Sequence, residues 1–89
     1  MTEDADAMRI GVEEEFHVIS LATRHLAGRA DLLLEGLPPE RFTHELQRSM
    51  VESNSDPFVR LEDLARDVGA LRARLIRRAD ELGLGISAA

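Results

Sequence analysis

Residues 61–82, LEDLARDVGALRARLIRRADEL, carry the clearest periodic signal in the chain. Leu61, Leu64, Ala65, Val68, Leu71, Leu75, Ala79 and Leu82 trace one apolar stripe at helical spacing. Glu62, Asp63 and Asp67 crowd the first half, and Arg72, Arg74, Arg77 and Arg78 crowd the second. That order suits the helix dipole, with Asp80 and Glu81 opposing it in the last turn. Gly69 inside the segment costs about 1 kcal/mol relative to alanine. Gly83 and Gly85 are the stop signals. A helix with one apolar side requires a surface to cover, and the flanking segments offer strands.

Upstream, Ile10–Ser20 (IGVEEEFHVIS) is rich in β-branched and aromatic residues and partly alternates. As a strand it places Ile10, Val12, Phe16 and Val18 on one face. Gly11, Glu13, Glu15, His17 and Ile19 fall on the other. Glu14 interrupts the apolar face. Residues 21–31 read as turn and loop. Asp31 is a candidate cap for a short helix, LLLEGL, that ends at Gly36 before Pro38 and Pro39. Residues 41–54, RFTHELQRSMVESN, are taken as a second strand, although HELQRSM also satisfies a helical reading. SNSDP at 53–57 is a turn cluster. Leu84–Ala89 opens a third strand. The order β, short α, β, long α, β predicts an α+β domain over residues 8–89, a mainly antiparallel sheet covered by one long helix. The uncovered face carries the carboxylates. Residues 1–7 are expected to be a disordered, solvated lead-in.

Composition removes several function classes. The net charge is −6, which opposes general nucleic-acid binding. With no Trp or Tyr and three Phe, a base-stacking platform is unsupported. No apolar run approaches the ~20 residues of a membrane span, and the acidic start MTEDADAM is no signal peptide. The absence of cysteine rules out disulfides and thiolate zinc sites and fits a cytoplasmic protein. At 89 residues the core is small and its stability marginal.

Glu13 and Glu15, two apart on a strand, project to one face roughly 6.5–7 Å apart. Like charges so placed repel unless a cation or basic group lies between them. Hard cations such as Mg²⁺ take oxygen ligands and often bridge carboxylates to nucleotide phosphates. Alternating glutamates on a solvated strand face are also common, and that reading stays open. Glu45 and Glu52 are the next candidates. A regular strand puts positions seven apart on opposite faces, whereas a bulge or a helical turn brings them together. His17, His25 and His44 show no paired ligand spacing, and no phosphate-binding glycine loop or nucleophile motif is present. The arginines at 72–78 read as a solvated helix face.

IGVEEEF, then FTHELQRSMVESNSDP, then LEDLARDVGALRARLIRRADELGLGISAA together resemble the opening of the type 2 glutamate–cysteine ligases, also called carboxylate–amine ligases. The resemblance covers nearly all of residues 9–89. It implies part of a glutamine-synthetase-like ligase fold, with an antiparallel sheet whose inner face forms a funnel-shaped site. It also implies ATP-dependent ligation: the γ-carboxylate of glutamate is phosphorylated, and an amine such as that of cysteine displaces phosphate. By motif, Glu13 and Glu15 match the acidic pair of the first strand, and Glu45 and Glu52 match the acidic positions of the second block. All four are implied metal ligands for Mg²⁺, with Glu13 and Glu15 also on the ATP side and Asn54 near the substrate. Family enzymes are several times longer, so the chain reads as an N-terminal fragment inactive alone, its partner a second copy or the remainder of a split ligase. The alternative from another class is a non-enzymatic module that binds protein or dimerises through the 61–82 stripe.

Overall fold

The computed structural model describes residues 8–45 and 47–89. The lead-in expected over residues 1–7 lies outside them. The order is β1 (Glu13–Ser20), α1 (Ala30–Leu34), β2 (Phe42–His44), β3 (Met50–Asn54), α2 (Leu61–Glu81) and β4 (Leu84–Ala88). The strands form one four-stranded antiparallel sheet in the order β2-β3-β1-β4. The α+β class stands as expected, but among the described residues the sheet has four strands rather than three. The extra strand comes from 41–54, which is not one strand but two, β2 and β3, folded back on each other. HELQRSM forms neither a helix nor a continuous strand among its described residues, and Met50 N–H donates to Gln47 O at 3.1 Å in the connection.

β1 begins three residues later than the alternation suggested. Before it, Ile10 pairs in isolation with Phe58, exchanging two backbone hydrogen bonds of 2.8 and 2.9 Å. The cluster SNSDP is only partly turn. Ser53 and Asn54 are the last residues of β3, and Ser53 is buried. Asp31 does not cap α1. It lies in the first turn, its carboxylate 3.3 Å from His44 Nδ1, and no side chain caps this short helix. α2 matches its expected span to within a residue. Gly83, at φ 71°, takes the left-handed conformation that ends it, a position where a β-carbon is strained. Gly85 has a different role, pairing with Ile19 within β4.

The core lies between the sheet and α2, closed at one end by α1. Phe16, Val18, Phe42, Val51 and Leu84 supply the sheet side. Leu71, Leu75 and Ala79 come from α2, and Leu33, Leu34 and Leu37 from α1 and its exit. The expected stripe is therefore used internally. Its margins are not: Leu61 is 72% exposed, and Ala65 is exposed as well. Ala65 follows Leu64 by one residue and is turned about 100° from it around the axis. Glu14, the misfit on the apolar face of β1, reaches Arg72 on α2 through two hydrogen bonds of 2.7 and 2.5 Å. Just before β2, Arg41 Nη2 donates to both carboxylate oxygens of Asp67 on α2, at 2.8 and 2.7 Å, and Arg41 Nε donates to Asn54 O at 3.1 Å. These two contacts tie strands to helix across the layer. No helix among the described residues is long and apolar enough to cross a membrane.

Candidate metal-binding face

Directly opposed residues in an antiparallel sheet point to the same side. The register places Glu15 opposite Glu52, Glu13 opposite Asn54, and Thr43 opposite Glu52. Phe16 and Val51, also opposed, are buried under the helix. Glu13, Glu15, Glu52, Asn54 and Thr43 therefore occupy the face that α2 leaves open. Glu45 joins them from the residue just after β2. One carboxylate oxygen each from Glu15, Glu45 and Glu52 lies within 4.8 Å of the others. The seven-residue conflict between Glu45 and Glu52 is resolved by the hairpin, which reverses the chain between them.

Glu13 stands outside the three-oxygen group, two residues along β1 from Glu15 and opposite Asn54. His17 shares the strand face with Glu13 and Glu15, but its Nδ1 is buried and has no partner among the described residues. His44 is engaged with Asp31, and nothing in the geometry draws His25 to this face. Sequence reasoning missed Thr43, whose hydroxyl donates to Glu52 Oε2 at 3.2 Å and accepts from Asn54 Nδ2 at 3.3 Å. Only the hairpin register could reveal it.

The electrostatics show the strain of this grouping. Burial, and then the neighbouring Glu45 carboxyl, raise the Glu52 pKa above the ordinary value of 4.5, against the lowering effect of Thr43. A carboxyl whose pKa is raised on folding contributes stability that is fully present below the unfolded value and is lost as pH rises through the folded one. The metal-free wild type should therefore lose ground to Glu52→Gln as pH rises from 4 to 7. Urea midpoints of the two proteins across that range test this, and a gap independent of pH would contradict it. The residues fit a divalent cation on the same grounds: three hard oxygen donors converge and repel one another, the situation that a cation relieves. The arginines of α2 lie on the opposite side of the sheet and do not neutralise them. The surface depressions lined by Phe58, Asp63 and Ala70 and by Gly36, Arg74 and Arg77 also lie on the helix side, away from the carboxylates.

The fold and this face define a small α+β unit with an acidic sheet surface suited to oxygen-liganded metal. The chain belongs to the glutamate–cysteine ligase family 2 (GCS2), whose profile matches residues 9–89. A Frankia alni protein named "Putative glutamate–cysteine ligase 2-3" is 47% identical over 85 residues, covering 96% of this chain and 10% of that protein. A "Putative glutamate–cysteine ligase 2-2" of Mycolicibacterium smegmatis is 45% identical over 80 residues, covering 90% and 20%. The "Glutamate–cysteine ligase" of Natronomonas pharaonis is 33% identical over 84 residues, covering 90% and 23%. The chain thus spans between a tenth and a quarter of the length of these relatives.

Proposed function

We propose that this chain forms the acidic, cation-holding wall of an ATP-dependent carboxylate–amine ligase of the glutamate–cysteine type, built on a glutamine-synthetase-like sheet. The observation that carries this reading is the convergence of carboxylate oxygens from Glu15, Glu45 and Glu52 within 4.8 Å on the open face, in a chain of this family. In the reaction ATP phosphorylates the γ-carboxylate of glutamate, and the amine of cysteine or a similar compound displaces phosphate. Mg²⁺, when bound, supplies neutralisation of the charge spread over the transferring phosphoryl group. Glu15, Glu45 and Glu52 hold cations on the nucleotide side, and Glu13 flanks them.

This polypeptide by itself is expected to be inactive. Phosphate and substrate carboxylate need cationic partners. Here five of the eleven arginines, Arg66, Arg72, Arg74, Arg77 and Arg78, belong to α2, behind the sheet, and Arg41 is held by Asp67. The helix-mediated binding module is not favoured, because Leu71 and Leu75 are consumed by the chain's own core. The test is titration of Mn²⁺ with and without ATP on wild type and on the Glu13→Gln, Glu15→Gln double variant. Wild type should bind more tightly, by an order of magnitude or more. Equal binding would refute the assignment of the β1 pair.

A further inference from the structure

A hydroxyl has one proton to donate and two lone pairs to accept with. Thr43 uses both capacities within the open face. Asn54 Nδ2 donates to its oxygen at 3.3 Å, and its own proton is then directed at Glu52 Oε2, 3.2 Å away. Asn54 is in turn fixed through its backbone, since Arg41 Nε donates to Asn54 O at 3.1 Å while the same guanidinium grips Asp67. A continuous chain of hydrogen bonds therefore runs from α2 through Arg41 and the end of β3 to Thr43 and Glu52. Its parts are set by the β2–β3 register, which puts Thr43 directly opposite Glu52.

We infer that Thr43 is a positioning residue that orients the Glu52 carboxylate toward Glu15 and Glu45, an inference that rests on the metal-site proposal above. A carboxylate free to turn about its last side-chain bond presents its oxygens to Glu15 and Glu45 only part of the time. One held at Oε2 by a directed hydroxyl keeps a constant aspect. Hydrogen-bond partners of ligating carboxylates are a general requirement of metal sites, and their removal typically weakens metal binding about 10–100-fold. Asn54 acts one step further out: it holds the oxygen of Thr43 so that the proton points the useful way.

The test uses the whole chain with Mn²⁺ as probe, free Mn²⁺ being followed by its electron paramagnetic resonance signal. Thr43→Val keeps the shape and the β-branch and should lose about 10–100-fold in Mn²⁺ affinity, with a urea midpoint close to that of wild type. Thr43→Ser should recover most of the affinity. A purely structural role would move the urea midpoint with the affinity, and would leave serine no better than valine. Unchanged Mn²⁺ affinity in Thr43→Val overturns the inference. If that variant does not fold, Thr43→Ala gives the same comparison. If wild type itself binds no Mn²⁺, the metal-site proposal falls, and the Asn54 side-chain amide resonances decide the hydrogen-bond chain separately. They should be displaced from their free values in wild type and Thr43→Ser and collapse toward them in Thr43→Val. Identical resonances in all three proteins would overturn it.

Discussion

Replacing Glu45 and Glu52 together by glutamine should make the metal-free chain more stable and abolish its stabilisation by Mn²⁺. The two carboxylates stand with Glu15 in a group whose nearest oxygens are at most 4.8 Å apart. At such separations a pair of like charges repels by about 1 kcal/mol even with the full screening of water, and partial burial of Glu52 screens less. Glutamine preserves length and polarity, and its amide can accept the Thr43 proton through its carbonyl oxygen. The variant therefore removes repulsion at small structural cost. A gain of about 1 kcal/mol corresponds to roughly 4–8 °C in melting temperature for a domain of this size. With ligand the order reverses. A cation at ten times its dissociation constant stabilises the native state by about 1.4 kcal/mol, or roughly 6–11 °C, and that increment should appear in wild type alone. Thermal scans with and without Mn²⁺ give both numbers. A variant less stable than wild type without metal, or equally responsive to it, would show that the acidic face is ordinary solvated surface. An acidic group that weakens the empty fold is the arrangement expected of a site whose stability is completed by its ligand.

The same residues show what was legible before the fold was known. Alternation in 13–18 was enough to place Glu13 and Glu15 on the side opposite Phe16 and Val18, because side-chain direction in a strand depends only on parity. The helix at 61–81 was equally legible, since its stripe repeats over many turns. Gly83 marked its end for a local reason, the cost of positive φ for any other residue. The hairpin at 41–54 was not legible. No Asn-Gly or Asp-Gly pair marks the connection, and HELQRSM satisfies helix and strand patterns alike. The error had a consequence. On a single regular strand Glu45 and Glu52 cannot share a face, whereas the hairpin puts them together and brings Thr43 opposite Glu52. Arg41, Asp67, Glu14 and Arg72 escaped for the related reason that their contacts join residues 26 and 58 positions apart. Residue-level chemistry was visible in the acids themselves, and the family likeness ordered them. Partners assigned by tertiary register were not visible.

Truncating Leu75 to alanine should cost about 2–5 kcal/mol, the range for a fully enclosed leucine whose surroundings cannot collapse into the void. Leu75 is 0% exposed and lies in the core formed by the sheet, α1 and α2. A domain of 89 residues has about 4–13 kcal/mol of total stability by general experience. The substitution thus consumes much of it, and at the lower end the chain unfolds in water. Leu61 is the control, being on the same helix and in the same sequence stripe yet 72% exposed. Leu61→Ala should change stability by no more than about 0.5 kcal/mol. Urea midpoints of the two variants, measured at two protein concentrations, separate the internal packing of this helix from a role in association. If the stripe served a second copy, the Leu75→Ala loss would shrink on dilution, as the wild-type reference itself lost its partner. A concentration-independent loss of the stated size places the stripe within one chain. The same packing fixes the sheet that holds Glu15 and Glu52 on its far side, so Mn²⁺ binding should fall with the folded fraction in Leu75→Ala and remain intact in Leu61→Ala.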